Sequence, residues 1–518
     1  MRAWIRAVYT SALLFVSACG SRSALLSADG AGGDTTGTGG ASTGAGGSST
    51  GTGGETTSST TTPTTTHPPT QIMACGSLTW AASFGGGGEQ RIFDVAPDPA
   101  GGAYVLGTFH SQLDCGQGNV FMPGLGLFLS HVNAAGEIGW CDMWPNLDPM
   151  MVDFNLSSNV WAGRGSHLLT VDGEGNAVVA ANFSDTANFG DGPEPKGARV
   201  LSVDAGGKLV RKVLIPVSEG GMVIPMALAS TKGDHLLLAA DFGGSVAWGA
   251  IDLPSEPQFD AFFAELDSTG NGLWARRILG PGTTVHERID PAPDGTAVLY
   301  SLVEYQADFG DGPYQSICLQ TENGQCTLYG TDRVAHRFGP GGDVVPVLED
   351  APGLGHENMC CSDVPDARLL PDGSEILAKL RYGPPSLTLS RQLRDAAGQW
   401  SPLWEQHCSG TFAGTLASVA GGDGSQLFLV ELQGSDAPTP ECLGVPTEVG
   451  EWLFQTDIDG NYQCHLHFGG APGTPLVARD AAGGILIGGT YQDALTTESG
   501  KIPISGKSDA VVLRYGPK

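Results

Sequence analysis

Asp260–Arg276, DAFFAELDSTGNGLWAR, decides how the rest of the chain is read. It holds two short apolar-rich runs, Ala261–Leu266 and Gly272–Arg276, joined through Asp267, Gly270 and Asn271. Gly and Asn tolerate the positive φ of a tight turn, so the stretch predicts a β-hairpin. The unit returns in degenerate form at Leu127–Trp140, Ala198–Val210, Arg333–Val345, Leu387–Trp400 and Trp452–Cys464. A seventh copy, Asp509–Gly516, has no second strand behind it. That strand is expected at Leu78–Phe84, where Trp80 and Ala81 match Trp274 and Ala275.

Ahead of each hairpin an Asp/Gly turn separates two apolar runs. The turns are Asp98–Gly102, Asp172–Asn176, Lys232–Asp234, Asp294–Gly295, Asp372–Gly373, Asp423–Gly424 and Asp480–Gly484. A second marker, Asn188–Pro193, recurs as Asp308–Pro313, and Cys115 and Cys442 take the place of Phe189 and Phe309. Behind the turns, Ala177–Ala181, Leu236–Ala240 and Ile485–Ile487 are apolar on both faces, as in sheets packed between other sheets. Trp80, Trp140, Trp274 and Trp400 read as one outer-strand position that fills the gap between splaying blades. The fold expected over residues 73–518 is all-β, a seven-bladed β-propeller closed by an N-terminal strand. The turn aspartates read as turn formers ahead of ligands.

The pattern resembles the SBBP-type β-propeller repeat of bacterial surface proteins. Phe84-Gly85-Gly86, Asp98–Gly107 and Leu266–Trp274 carry the likeness, which extends over about residues 77–518. Blades four to six depart from it, with cysteine-containing insertions and lost Trp positions. The resemblance implies a fold and a surface location and brings no catalytic signature.

The rest of the composition agrees with an exported chain. A formal charge of −29 with only 16% charged residues makes a poor polyanion binder, so nucleic acid is not expected as a partner. Arg2, Arg6 and the apolar run Ala7–Ala18 read as a signal peptide over residues 1–18. Val16–Cys19 resembles a bacterial lipobox, which implies lipidation at Cys19 and a membrane partner through that anchor. No later apolar run reaches the ~18–20 residues of a spanning helix. Residues 19–72 are rich in Gly, Ser and Thr and cannot bury enough apolar surface to offset ordering, so they read as a disordered tether. About 45 flexible residues span roughly 35–40 Å. Gly20 and Ser21 after Cys19 point to the outer membrane, by resemblance to known lipoprotein sorting.

Of 11 cysteines, Cys19 is set aside for lipid and the remainder read as disulfide partners. The expected pairs are Cys115–Cys141, Cys442–Cys464 and Cys318–Cys326, with Cys408 taking Cys360 or Cys361 and Cys75 taking the other or staying free. Gly40–Gly44 matches a nucleophile-elbow pattern but lies in the tether, without a strand and helix around it. Asp457–Asn461 looks like the start of a calcium loop and lacks the distal Glu, so an ordinary turn is expected. His465 and His467 share one strand face without an identifiable third ligand. No metal and no cofactor are expected.

The entry ends of the innermost strands are where this fold would place a site. Arg91 and Asp94, then His286, Glu287, Arg288 and Asp290, then Asp366 and Arg368 put opposed charges around a channel mouth. They read as salt-bridged channel liners first and as a site for a polar ligand second. The sequence therefore points to a monomeric, surface-tethered, non-enzymatic binding or scaffolding module for a glycan, a polar ligand or a surface protein. The alternative is an exported enzyme acting on a polysaccharide or polar small molecule at the channel mouth, with two carboxylates as acid and base.

Overall fold

A computed structural model describes the chain from Cys75 to Pro517, apart from residues 151–166, 255–259, 346–362, 395–399, 433–440, 503–507 and shorter pieces of loop. The signal segment, Cys19, the tether and the Cys360–Cys361 pair lie outside the described residues. The described structure is all strand, and it falls within the compact unit Ile72–Lys518.

Six four-stranded antiparallel sheets have the arrangement of propeller blades. In chain order, the first sheet runs through Gln90–Pro97, Ala103–Asp114, Asn119–Val132 and Ile138–Pro145. The second, third and fourth repeat that meander over residues 169–214, 222–278 and 283–345. The fifth is different. Asp363–Leu369, Ser374–Tyr382, Pro385–Arg394 and Trp400–Ser409 continue into Glu441–Cys442 and Val445–Pro446, which makes six strands. The sixth spans residues 412–468, and the seventh joins Gly473–Arg479, Ile485–Tyr491 and Asp509–Tyr515 to Leu78–Phe84. Where seven four-stranded blades were expected, the described residues form six, because the next repeat's hairpin is attached to the fifth sheet.

That attachment is one residue pair wide, Ser409 opposite Glu441. The same contact occurs elsewhere as single bridges: Gly85 with Asp114, Leu147 with Phe183, Val217 with Val246 and Leu279 with Asp308. In each, the end of one sheet's outer strand meets the next sheet near the link between its second and third strands. The extra strands of the fifth sheet are thus this same inter-sheet contact, made here between the end of the outer strand and the hairpin Glu441–Cys442 and Val445–Pro446.

Sequence dictates depth in the sheet. Ala177–Phe183 and Ile485–Tyr491 are buried at every position because neighbouring sheets cover both faces. The outer strand Leu78–Phe84 alternates, with Trp80, Ala82 and Phe84 buried and Thr79, Ala81 and Ser83 exposed. It pairs antiparallel with Asp509–Tyr515, Ala81 opposite Leu513 and Ser83 opposite Val511.

A second contact joins successive sheets at the turn end. Trp140 Nε1 donates to the Ala205 carbonyl of the second sheet at 3.0 Å, Trp274 Nε1 to Pro340 of the fourth at 3.0 Å, and Trp404 Nε1 to Ile458 of the sixth at 3.1 Å. Under each indole lies a turn glycine with φ near +80°: Gly207, Gly342 and Gly460. Trp80 covers Gly136 of the first sheet in the same way. The motif's Gly and its Trp, four residues apart in sequence, therefore belong to different joints. In the second sheet Arg211 holds the Trp position and donates to the Ser268 carbonyl, while Val213 covers Gly270. In the fifth sheet the residue in this place is Trp404, opposite Arg391, and not the expected Trp400, which pairs further along with Arg394. The other sheets share the register shift beside this position, and the displacement arises because the fifth sheet's hairpin strands run on, with Leu393 opposite Ser401 and Arg394 opposite Trp400.

Among the described residues there are four disulfides: Cys75–Cys464, Cys115–Cys141, Cys318–Cys326 and Cys408–Cys442. Cys442 and Cys464 do not bond each other, and Cys408 takes neither Cys360 nor Cys361. The reason is register. Cys464 lies opposite Gln455, as Trp274 lies opposite Glu265 and Trp140 opposite His131, whereas Cys141 is one residue further on, opposite Ser130. One residue along a strand reverses the face, so Cys141 turns to Cys115 of its own sheet and Cys464 turns the other way.

Candidate functional site

Inner strands of successive sheets pack side by side: Gln90–Pro97 on Leu169–Val171, Leu169–Val171 on Met222–Ser230, and Met222–Ser230 on Thr283–Pro291. Several slip register at one level, between Ile92 and Asp94, Pro225 and Ala227, and His286 and Arg288. A bulge there re-aims the flanking side chains. This is the level that holds most of the charged residues singled out in the sequence.

Asp94 is buried and its carboxylate accepts the Leu169 amide of the second sheet at 3.0 Å and its neighbour Val95 at 2.9 Å. Burial pushes its pKa up to about 8, against the pull of those amides. It ties two sheets together. His286 is buried, its Nδ1 is 2.8 Å from the Ser301 hydroxyl, and burial holds it down to about 3, so the ring is neutral at ordinary pH. The guanidinium of Arg288 lies 4.2 Å from the Tyr300 ring centre, and its Nε is 3.0 Å from Asp290. Glu287 is buried beside them. Arg91 is the exposed member and meets Glu89 at 3.5 Å. Asp366 and Arg368 fall on the strand Asp363–Leu369, and their side chains lie outside the described residues.

His286, Glu287, Arg288 and Asp290 are thus neighbours on one strand, and Asp94 is engaged between the first two sheets. Asp94 fastens the first sheet to the second, while His286 with Ser301 and Arg288 with Tyr300 and Asp290 are contacts within the fourth sheet. Among the described residues no group of three or more His, Cys, Asp or Glu could hold a metal ion. The Asp457 carboxylate accepts the amides of Asp459 at 3.0 Å and Asn461 at 2.8 Å, which is the work of a turn aspartate. His465 and His467 are packed about Trp452, at ring separations of 4.9 and 4.4 Å, and His465 also meets the Tyr462 hydroxyl at 2.5 Å.

Sequence reasoning missed Asp241. It sits on the second strand of the third sheet, 7% exposed, and its Oδ1 has no hydrogen-bond partner. Burial pushes its pKa up to about 8. The signal was available: Asp241 interrupts the otherwise apolar run Leu236–Phe242. In the second sheet Asn182 bonds Asp148 at 3.0 Å, and in the seventh Thr490 accepts the Ile92 amide at 3.3 Å, so polar side chains at this end of the second strands reach toward neighbouring sheets.

No family model and no curated protein sequence matches the chain. Among solved structures, a protein of unknown function from Dyadobacter fermentans is 9% identical, with 86% of this chain and all of that one covered, at a TM-score of 0.35. An exo-type rhamnogalacturonan lyase is 15% identical over 66% of this chain and 74% of that one, at 0.28. A Bacillus licheniformis rhamnogalacturonan lyase is 12% identical over 84% and 77%, at 0.25. Likenesses this distant carry no argument about chemistry. Among the described residues no helix is long and apolar enough to cross a membrane.

Proposed function

We propose that the chain is a surface-tethered bacterial lipoprotein whose propeller is a rigid, non-enzymatic binding or scaffolding module. Residues 1–18 are its signal peptide, Cys19 its lipid site and residues 19–72 its tether to the outer membrane. The fifth sheet with its borrowed hairpin counts as a seventh blade, and Leu78–Phe84 closes the ring of SBBP-type repeats. The observation that carries the binding reading is Asp94 bonded across to Leu169. It ties the first sheet to the second, and Arg288 is held within the fourth sheet by Tyr300 and Asp290, so charge at the inner-strand ends is engaged in structure, which favours a stiff platform over a reactive cleft. The unbonded, buried carboxyl of Asp241 favours the second reading, an exported enzyme acting on a polysaccharide or polar small molecule. The test is a glycan and small-ligand screen on the whole chain, with Arg91→Ala and Asp241→Asn measured on each hit. A hit weakened by Arg91→Ala supports the channel mouth as the binding place. A hit that is consumed, with turnover abolished by Asp241→Asn, replaces the binding reading with the enzyme.

A further inference from the structure

At the turn end of three of the joints described above, the outer-strand residue four positions after a turn glycine (Trp140, Arg211 and Trp274) reaches into the next sheet's turn. In the sixth sheet that residue is Cys464, four after Gly460. The seventh sheet has no turn to receive it. Its third strand ends at Tyr515, its outer strand arrives from Leu78–Phe84, and the Gly516 amide meets the Ser77 carbonyl at 3.0 Å where a turn would otherwise connect them. Cys75 occupies the vacant turn's place. Its amide donates to the His465 carbonyl at 3.2 Å and its sulfur is bonded to Cys464. Cys408–Cys442 in turn bonds the fifth sheet's Trp400–Ser409 strand to the hairpin that the chain forms between the sixth sheet's second and third strands.

We infer that Cys75–Cys464 is the mechanical anchor of the fold. A pull on residues before Cys75 passes through the sulfur bridge into the sixth sheet and on, through Cys408–Cys442, into the fifth. The pairing of Leu78–Phe84 with Asp509–Tyr515 is thereby spared. That strand needs the protection. It is seven residues long and paired on one edge only, so a pull on its free end would part its hydrogen bonds one after another. Cys75 and Cys464 are 4% and 5% exposed, which keeps the bridge from thiol exchange in the folded protein. The use of such an anchor in the cell rests on the tether reading given above. Its mechanics do not.

The experiment is single-molecule force spectroscopy on the full chain, with one handle at the N-terminus and the other inserted after Glu219, in an exposed loop. Handles supply the pull whether or not Cys19 is lipidated, so a failure here is separate from a failure of the tether reading. The oxidised chain should show no early event. Cys75→Ser with Cys464→Ser should show one, releasing about ten residues (roughly 35 Å) at less than half the force of the first event in the parent. A short early release in the oxidised parent overturns the inference by itself, whether or not the variant folds. Equal first-rupture forces in parent and folded variant overturn it as well.

Discussion

The joint between the first and second sheets and the joint between the fifth and sixth are built on the same plan in different materials. At the turn end they agree: Trp140 lies on Gly207, and Trp404 lies on Gly460. At the hairpin end, Trp144 meets Phe189 with ring centres 6.0 Å apart in one, and Cys408 is bonded to Cys442 in the other. Cys408 follows Trp404 by the interval at which Trp144 follows Trp140, and Cys442 holds the repeat position of Phe189. The fold fixes where sheets must touch, and either buried aromatic area or a covalent bond can satisfy the contact. The two differ in what they act on. Ring packing stabilises the folded state through surface removed from water, whereas a disulfide acts mainly by restricting the unfolded chain.

Breaking the first joint at its aromatic should have the largest effect. Trp144 is 5% exposed, so Trp144→Ala is expected to cost about 3–5 kcal/mol in urea unfolding monitored by fluorescence. A cost under 1 kcal/mol would mean that the ring pair does not hold the joint. The disulfide joint comes next. Cys408→Ala with Cys442→Ala removes a closure over a sequence separation of 34, worth about 3–4 kcal/mol on chain entropy. Dithiothreitol added to the unfolding experiment should cost the parent protein more than this, because it opens all four of these bridges in the unfolded chain, and should leave the difference made by Trp144→Ala in place.

The smallest effect tests the buried acid in the third sheet, away from both joints. Asp241 titrates near 8 when folded and near the usual carboxylate value when unfolded. Between about pH 4 and pH 8 the folded state therefore holds a proton that the unfolded state has given up, and stability falls as pH rises through that window. Asp241→Asn should remove this slope and leave the variant more stable than the parent at pH 8 by at least about 1 kcal/mol. Parallel thermal midpoints for the two proteins from pH 5 to pH 8 would count against a buried neutral acid.

Much of this was legible in order along the chain. The hairpins fall where the Asp/Gly turns put them, and the pairing of Leu78–Phe84 with Asp509–Tyr515 follows from the unmatched strand at each end. The errors share a cause. The sequence places Trp400 where Trp404 stands, and its expected pairs Cys115–Cys141 and Cys442–Cys464 treat Cys141 and Cys464 alike although they point to opposite faces. Both mistakes are shifts of a few residues within a strand, small in sequence and decisive in space because side chains alternate with period two. For the candidate site, the charges at the inner-strand ends were visible, and their engagement was not. Asp94 bonds an amide 75 positions away, and no local pattern announces that partner.

By itself the sequence determined the local geometry: which residues turn, which extend, and which strands are apolar on both faces. These follow from backbone sterics and from periodicity, which act over a few neighbouring residues. Tertiary structure alone decided that each tryptophan serves the next repeat's glycine, that Cys464 reaches back to Cys75, and that the fifth sheet borrows a hairpin. Those partners come from different repeats, and a contact between sheets depends on which face a strand presents once its register is set.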